Sequence, residues 1–440
     1  MEMNRTAKNR KTGDGDMKRR YRAIAGLLSI SLLCCACASD EKKEKIEKPK
    51  SDYQEAAYQG QLNALRPRAY GDISGLNLEP GTYLSVIGKG TDTDYWEAVK
   101  RGAEQAVEDL NERLGYKGND KIKLVYSGCS QGEDVEEQVN ILDEEMDRNP
   151  AAIAIAIIDE NACGVQFDMA ADNGIPLVVF DSGSDYQGIV SMISTDNRDA
   201  GKTAGTKLAE AIEESGEVAL FLPDKKSMSS SEREAGMKEA FDESYPDIQV
   251  ADIYHGDELA ERSKAMQSGV TPEGTTGESE SQDSTSSDST PADSAAVPEE
   301  GAASDEGSEP EASGENQEEE VTELTQLEMI QEILKAHPNL KGCISGSEEM
   351  TALLLEAAEA LDRTDLKIIG FDTGEKQMEA LEDGRLTGLV VQNPFGMGYA
   401  AIVASARAVL GQANEAVVDS GYTWVTRDNV EKESIQKMLY

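Results

Sequence analysis

The feature that most constrains the fold is a regular alternation, from Tyr83 onward, of short apolar runs with amphipathic, helix-like stretches. Residues 152–158 are continuously apolar, as expected of a strand buried on both faces of a parallel sheet. The stretch that begins at Trp96 repeats its apolar residues at a helical period. This alternation predicts βαβ units, and therefore an α/β fold built on parallel sheets.

The same patterns place the individual elements. The predicted strands are residues 83–87, 121–126, 152–158, 176–180, 189–193, 218–222, 249–254, 343–345, 367–371 and 387–392. The predicted helices are residues 96–114, 135–146, 163–173, 201–215, 232–245, 323–337, 349–361, 376–383 and 398–410. Residues 53–80 are ambiguous, and one interpretation is a lead-in segment that packs ahead of the first strand.

An acidic, low-complexity segment interrupts the alternation at residues 267–320. It contains no Lys, Arg, Leu, Ile or aromatic residue. Such a composition cannot offset the entropy cost of ordering, so we expect a disordered insertion. Loop closure costs little extra per added residue, so a domain tolerates a long surface insertion. A linker between two domains is the alternative, but the β/α rhythm on both sides favours an insertion.

The chain length indicates the number of domains, and the net charge excludes one class of partner. A chain of 440 residues suggests two domains with additional segments. The net charge of -43 argues against a nucleic-acid partner, because such binding depends on Lys and Arg side chains that neutralise phosphates.

The N-terminus has the arrangement of a bacterial signal peptide. A basic cluster at residues 18–22 precedes an apolar run at residues 23–35, which is too short to span a bilayer. The pair Ala36-Cys37 resembles a lipoprotein processing site, with Cys37 as the lipidated residue and Cys35 as the alternative. An ordinary cleaved signal is the other interpretation, and Met17 is the expected start. Residues 38–80 then form a charged tether and the lead-in segment.

The remaining cysteines and histidines predict no cofactor and no metal. After processing, Cys129, Cys163 and Cys343 remain, and this odd, scattered set gives no disulfide framework. With only His255 and His337 in the chain, a zinc site is not expected.

The Gly-rich turn at Gly88-Lys89-Gly90 raises the question of a phosphate site, because it lies between a strand and a helix. The dinucleotide fingerprint needs a third glycine where Thr93 stands, and nearby Asp92 and Asp94 would repel a pyrophosphate. We therefore expect no phosphate cradle here.

Polar and aromatic residues follow most of the predicted strands. Ligands of open α/β sheets bind beyond the carboxyl ends of the strands, so these residues are candidates for a binding site. They are Thr93, Tyr95, Trp96, Asp181, Asp196, Asn197, Arg233, Ser347, Asp372 and Gln392. Carboxylates, amides and a guanidinium exchange hydrogen bonds with hydroxyls, and aromatic faces cover the C–H surface of a sugar ring.

Each candidate also has a purely structural interpretation. Tyr95 and Trp96 would then be core residues, and Asp181 and Asp372 would only shape turns. Arg233 would be an exposed helix charge. For Asp196 we prefer the structural interpretation, a helix cap.

The residues carry a family resemblance as well. The segments "DYWEAVKRGAEQAVEDLNERLGY", "AIAIAIIDENACGVQFDMAADNGIPLVVFDS", "STDNRDAGKTAG", "SEREAGMKEAF", "LKAHPNLKGCISGSEEMTALLLEA", "IIGFDTGE" and "LVVQNPFGMGYAAI" occur in this order. Together they resemble the ribose/galactose-type periplasmic sugar-binding proteins, which are related to the ligand domain of LacI-type regulators. The resemblance spans residues 83–439 apart from the acidic segment.

The resemblance implies two doubly wound α/β lobes, joined by a three-strand hinge, with a sugar bound between them. The expected first lobe is residues 81–195 with 393–421. The expected second lobe is residues 196–266, 321–392 and 422–440. The chain would cross between lobes near Asp196, Gln392 and Gly421.

The resemblance also assigns roles to individual residues. Tyr95 and Trp96 would sandwich the sugar, and Asp181, Asn197, Arg233, Asp372 and Gln392 would hold its hydroxyls. Departures occur at Thr93, Ser182 and Ser347, where the family often has Asn, Arg and Asn. Fewer direct donors argue against ribose itself and leave another monosaccharide, a polyol or a furanose-like signal molecule.

We therefore expect a lipid-anchored protein on the extracellular face of a Gram-positive cell membrane, delivering a sugar to the permease and ATPase of an ABC importer. A sensory subunit that presents the sugar to a membrane receptor or histidine kinase is the alternative. No Ser-His-Asp set, metal cluster or nucleophile elbow accompanies the carboxylates, so no enzyme is expected.

Overall fold

The computed structural model describes residues 56–91, 93–130, 132–267 and 324–440. The predicted signal segment, Cys35, Cys37, most of the tether and the predicted acidic insertion beyond Gln267 lie outside the described residues.

The strands form two separate six-stranded sheets. In chain order they are β1 (Tyr83–Gly90), β2 (Lys123–Cys129), β3 (Ala152–Ile155), β4 (Leu177–Phe180), β5 (Ile189–Ser194), β6 (Gly216–Leu222), β7 (Ile248–His255), β8 (Leu340–Ser345), β9 (Lys367–Phe371), β10 (Gly388–Val391), β11 (Val417–Asp419) and β12 (Thr423–Val425). The first sheet has the order β11-β5-β4-β3-β1-β2 and the second has the order β12-β10-β9-β8-β6-β7. The two sheets thus repeat one topology.

Helices connect the strands and cover the sheets. In chain order they are α1 (Gln59–Ala64), α2 (Asp94–Leu114), α3 (Val135–Asp147), α4 (Gly164–Asp172), α5 (Asn197–Ala211), α6 (Met228–Ser244), α7 (Leu259–Gln267), α8 (Gln326–Ala336), α9 (Glu348–Ala360), α10 (Glu375–Asp383), α11 (Pro394–Val409) and α12 (Glu433–Gln436). Every strand pair is parallel except β10 with β12. The α/β fold class with two doubly wound lobes is therefore confirmed.

The chain passes between the sheets three times. It leaves the first sheet after β5, returns to it after β10 through α11, and crosses a last time between β11 and β12. Hydrogen bonds tie the crossings together, because Asn393 donates to Ser420 O at 2.8 Å and Thr195 donates to Gln392 Oε1 at 3.0 Å. We call β1–β5, β11, α1–α4 and α11 the first lobe, and the other elements the second lobe.

Several helices begin earlier than predicted because side chains cap them. The helix predicted at residues 201–215 begins at Asn197, and Asp196 accepts the amide hydrogen of Asp199 as its cap. The structural interpretation of Asp196 is thereby confirmed. Ser227 and Asn393 cap α6 and α11 in the same way, four residues or so ahead of the predicted starts.

The strand predicted at residues 152–158 is shorter than expected, because β3 ends at Ile155. Residues 156–158 remain buried while leaving the sheet. Continuous apolarity therefore marked burial correctly but overstated the length of the strand.

The lead-in segment packs on the first lobe. Leu62, Leu65 and Tyr70 are buried within the first lobe's hydrophobic core. An antiparallel bridge also joins Arg66 to Asp419 of β11. The segment is thus an integral part of the lobe.

Pairs of helices cross at glycines in both lobes. A Cβ atom at Gly398 of α11 would lie 2.0 Å from the carbonyl oxygen of Val99 in α2. In the second lobe, a Cβ atom at Gly236 of α6 would lie 2.0 Å from the carbonyl oxygen of Arg198 in α5. Both crossings bring helix backbones into contact, and they fix the positions of the helix N-termini that border the cleft.

Candidate functional site

A cleft cavity of about 350 Å³ lies at the carboxyl ends of the strands, between the two lobes. Its lining includes every candidate residue predicted from the sequence except Asn197 and the helix cap Asp196. These lining residues are Thr93, Tyr95, Trp96, Asp181, Arg233, Ser347, Asp372 and Gln392. Asn197 lies behind the cavity wall and accepts a hydrogen bond from Arg233 Nε at 2.9 Å.

The aromatic pair lies at the N-terminus of α2, where Thr93 caps the helix by accepting the amide hydrogen of Trp96. The rings of Tyr95 and Trp96 are perpendicular, with centroids 5.1 Å apart. Both side chains are buried within the first lobe's core, and both also line the cavity. The pair therefore packs in the core and also lines the cavity.

Tyr95 is anchored by its hydroxyl, which donates to Asp181 Oδ1 at 2.6 Å. Burial, followed by the nearby charges of Asp181 and Asp372, raises the pKa of Tyr95 well above its usual value. The phenol consequently stays protonated and acts as a hydrogen-bond donor.

Asp181 and Asp372 occupy equivalent positions in the two lobes, immediately after β4 and β9. Both have left-handed backbones, with φ of 60° and 66°. Their amides donate to equivalent carbonyls, Ile193 O at 2.8 Å and Val390 O at 3.0 Å. Aspartate tolerates this conformation better than most residues, and the same turn directs a carboxylate into the cleft from each side.

Arg233 is buried, so the exposed-charge interpretation is wrong. Its guanidinium donates to Asn197 Oδ1, to Gly346 O at 2.6 Å and to Gln392 Oε1 at 2.7 Å. It also lies over the ring of Phe371, 4.7 Å from the centroid. The guanidinium therefore holds the second lobe's cleft wall together.

Gln392 connects this network to Asp372, since its Nε2 donates to Asp372 Oδ2 at 3.0 Å. Burial raises the pKa of Asp372, although the nearby Arg233 charge opposes that shift. The crossing segment at Gln392 thus places an amide between the guanidinium and the carboxylate.

Further residues border the site that were not predicted from the sequence, and four of them bear on its chemistry. They are Lys89, Glu133, Glu348 and Tyr440. Lys89 could have been found from its position after the first predicted strand. From the sequence, that turn was considered only as a phosphate-binding site. Glu348 is next to the predicted Ser347, so the same end-of-strand rule could have found it.

Tyr440 gave no sequence signal, because it lies beyond all the predicted elements. Its ring packs edge-on against Tyr95, with centroids 6.1 Å apart, and it contacts the cores of both lobes. Its buried hydroxyl lies beside the Asp372 carboxylate. Burial and then the charge of Asp372 raise the pKa of Tyr440 well above its usual value.

The lobes contact each other across the cleft. Glu348 Oε2 accepts the amide hydrogen of Tyr95 at 3.3 Å, and Ser182 Oγ accepts that of Ser229 at 3.3 Å. Loss of solvent around Glu348, and then the charge of Asp372, raise the pKa of Glu348 to about 7. The contact between lobes therefore includes a carboxyl group that titrates near neutrality.

The described residues contain no group of three or more His, Cys, Asp and Glu side chains arranged to hold a metal ion. Within the same part of the chain, no helix has the length and apolarity needed to cross a membrane.

The sequence profile described as "Periplasmic binding protein domain" matches residues 84–276 and 303–413. The chain is 20% identical to the ribose import binding protein of Escherichia coli over 333 residues, covering 76% of this chain and 86% of the relative. It is 20% identical over 303 residues to the D-ribose/D-allose-binding protein of Pseudomonas aeruginosa, covering 67% and 75% of the two chains.

Solved structures of similar shape include a carbohydrate transporter solute-binding protein from Agrobacterium radiobacter in complex with D-arabinose. It has a TM-score of 0.62 and 24% identity, and the match covers 82% of this chain and 99% of that one. An ABC transporter solute-binding protein from Agrobacterium vitis with bound D-fucose also has a TM-score of 0.62, at 19% identity, covering 81% and 100%.

Proposed function

The chain belongs to the periplasmic binding protein domain family, and from this premise we propose that it captures a monosaccharide or a similar small polyhydroxy ligand and delivers it to an ABC importer. The ligand binds in the cavity between the lobes, and closure of the lobes encloses it.

The observation that carries this proposal is the chemistry of the cavity wall. Two carboxylates at equivalent turns, a guanidinium, an amide and hydroxyl groups line a space that is also bordered by aromatic rings. Such a set exchanges hydrogen bonds with several hydroxyls and covers the apolar face of a sugar ring. A ligand without hydroxyls would leave these groups unpaired, at considerable cost.

Individual roles follow from the contacts. Tyr95 and Trp96 cover the ring, and Asp181 and Asp372 accept hydroxyl hydrogens from opposite sides. Gln392, Thr93 and Ser347 contribute further hydrogen bonds. Arg233 donates three hydrogen bonds to protein groups, so only its remaining N–H groups donate to the ligand. Asn197 orients the guanidinium by accepting one of the three.

The names of relatives support import over a sensory role, since the Escherichia coli relative is an import binding protein. We propose a location outside the cytoplasm, with Cys37 as a lipid anchor to the cell membrane and a permease and an ATPase as partners. We propose binding without catalysis.

A thermal-shift screen of the purified protein against monosaccharides, polyols and nucleosides tests this function. At a hundred times its dissociation constant, a ligand stabilises a protein by about 2.7 kcal/mol. We expect a shift from at least one sugar, its loss in Asp372→Asn, and its retention in the exposed control Asp428→Asn. A shift only from a solute without hydroxyls would contradict the substrate class.

A further inference from the structure

The segment that follows β12 contacts both lobes. On the second lobe, Ile435 and Leu439 pack against the hydrophobic core. On the first lobe, the side chain of Lys437 lies against α1, since a Cβ atom at Gly60 would lie 2.6 Å from the Cβ atom of Lys437. Residues 430–440, which we call the strap segment, therefore connect the lobes in addition to the three chain crossings.

Tyr440 carries the strap segment to the cleft. Its ring packs edge-on against Tyr95, and its buried hydroxyl lies beside the Asp372 carboxylate. Tyr95 and Asp372 both line the cavity, and they belong to different lobes. A single side chain of the strap segment therefore contacts both walls of the cleft.

These two contacts are of the kind that the proposed function assigns to a sugar. Tyr95 offers an aromatic surface to an apolar group, and Asp372 accepts the hydrogen of a hydroxyl. Burial raises the pKa of Tyr440 well above its usual value, so its hydroxyl stays protonated and remains a donor. The phenol of Tyr440 thus combines an apolar ring with a hydroxyl donor, as a sugar does.

The carboxylate of Asp372 has little room for a second hydroxyl. Only 3% of the residue is exposed, and Gln392 already donates its Nε2–H to Oδ2 at 3.0 Å and its backbone N–H to Oδ1 at 3.3 Å. Burial raises the pKa of Asp372, and the Arg233 charge and the Tyr440 hydroxyl both oppose that rise. A ligand hydroxyl that approaches this carboxylate therefore meets the hydroxyl of Tyr440.

We propose that Tyr440 is an intramolecular competitor of the ligand, and that a sugar displaces its side chain from Asp372 and Tyr95. A protein whose binding-competent state is only partly populated binds its ligand with an affinity reduced by that fraction. Tyr440 thereby sets the concentration range in which the sugar is captured. This inference rests on the proposed function.

Isothermal titration calorimetry with D-ribose, D-arabinose and D-galactose tests the competition. Tyr440→Phe keeps the ring and removes the hydroxyl. It should bind the preferred sugar about tenfold more tightly than the wild type, because no hydrogen bond to a charged group has to be broken first. Tyr440→Ala should bind at least as tightly as Tyr440→Phe. Tyr422→Phe removes an exposed tyrosine–aspartate hydrogen bond of the second lobe and should leave affinity unchanged, as the matched control.

Hydrogen exchange followed by mass spectrometry tests the displacement itself. Addition of the preferred sugar to the wild type should slow exchange at the start of α2 and speed exchange across residues 437–440. In Tyr440→Ala, residues 437–440 should exchange at the faster rate before any sugar is added.

The outcomes separate this inference from the proposed function. Unchanged or weaker sugar binding by Tyr440→Phe, or slower exchange of residues 437–440 in the presence of the sugar, would overturn the competition and leave the proposed function in place. Sugar binding by the two variants alone would support both. Absence of sugar binding in the wild type and in both variants would overturn the proposed function, and this inference with it.

Discussion

The first lobe meets the cleft with Tyr95, Asp181 and Lys89, whereas the second meets it with Arg233, Gln392 and Asp372. In the second lobe, Arg233 and Gln392 donate hydrogen bonds to neighbouring protein groups. In the first lobe, the Lys89 ammonium has only two long ion-pair contacts and no hydrogen bond to any other described residue. The same topology therefore supports a preorganised wall on one side and a wall with unused donors on the other.

This difference indicates that the second lobe's wall contributes to both stability and ligand affinity, whereas the first lobe's wall contributes mainly to affinity. A substitution in the second lobe's network leaves several buried groups without partners, so we expect it to reduce stability as well as affinity. A substitution in the first lobe's wall disturbs fewer contacts within the protein, so its main effect should be on ligand affinity.

Arg233→Ala should produce the largest effect. It removes the arginine donors of the buried Asn197 Oδ1 and Gly346 O, and one of the two donors of Gln392 Oε1, which keeps Thr195. We expect a loss of about 3 kcal/mol or more in the free energy of unfolding, measured by denaturant titration. The exposed Arg198, paired with Glu239, is the control, and Arg198→Ala should change it by less than about 1 kcal/mol. Equal effects would contradict the preorganised wall.

The glycine crossings test whether the lobes share one construction. Gly236→Ala and Gly398→Ala each place a methyl group 2.0 Å from a backbone oxygen. Each should lower the free energy of unfolding by about 1–3 kcal/mol, because backbone must move. Gly164→Ala, with open space around its Cβ position, is the control and should be close to neutral. Tolerance at only one crossing would show that the two lobes are packed differently.

Tyr95→Phe sharpens the contrast from the first lobe. It removes the hydroxyl that holds Asp181 and keeps the ring. We expect about tenfold weaker sugar binding by calorimetry, with a loss of only about 1 kcal/mol in stability. Tyr186→Phe removes a tyrosine–aspartate hydrogen bond on the exposed side of the same lobe and should leave affinity unchanged. A stability loss as large as that of Arg233→Ala would contradict the claim that the first lobe's wall acts mainly on ligand affinity.

The smallest effect concerns pH. Burial raises the pKa of Glu348 to about 7 in the folded protein, from its ordinary value of 4.5. The folded state therefore binds this proton more tightly, and the stability it contributes is present below about pH 4.5 and is lost as the pH rises through 7. Glu348→Gln should gain stability relative to the wild type between pH 5 and pH 8, as followed by melting temperature. Glu379→Gln, on an exposed position of α10, controls for the loss of one charge, and an identical trend would contradict the assignment.

The β/α rhythm allowed the fold class to be predicted from the sequence, because buried parallel strands are continuously apolar and their helices are amphipathic. Boundaries were less accurate where a side chain decides them. Asp196 and Ser227 start their helices about four residues before the apolar period becomes visible.

End-of-strand reasoning brought Tyr95, Asp181 and Asp372 to one cleft, because parallel strands end at a common edge. It failed where tertiary structure supplies the residue. Tyr440 reaches the cleft from beyond the last strand, so its position follows no rule that local sequence carries. Glu133 lies in the loop after β2, where the end-of-strand rule could have found it.

Tyr440, Tyr95 and Trp96 form a row of rings, with successive centroids 6.1 Å and 5.1 Å apart. Excitation of a tyrosine passes readily to a tryptophan at such distances, so the emission of Trp96 depends on how Tyr440 packs between the lobes. The chain has only two tryptophans, and Trp424 lies in the second sheet. With Trp424 replaced by phenylalanine, the protein would carry its own optical gauge of cleft opening, without an added dye.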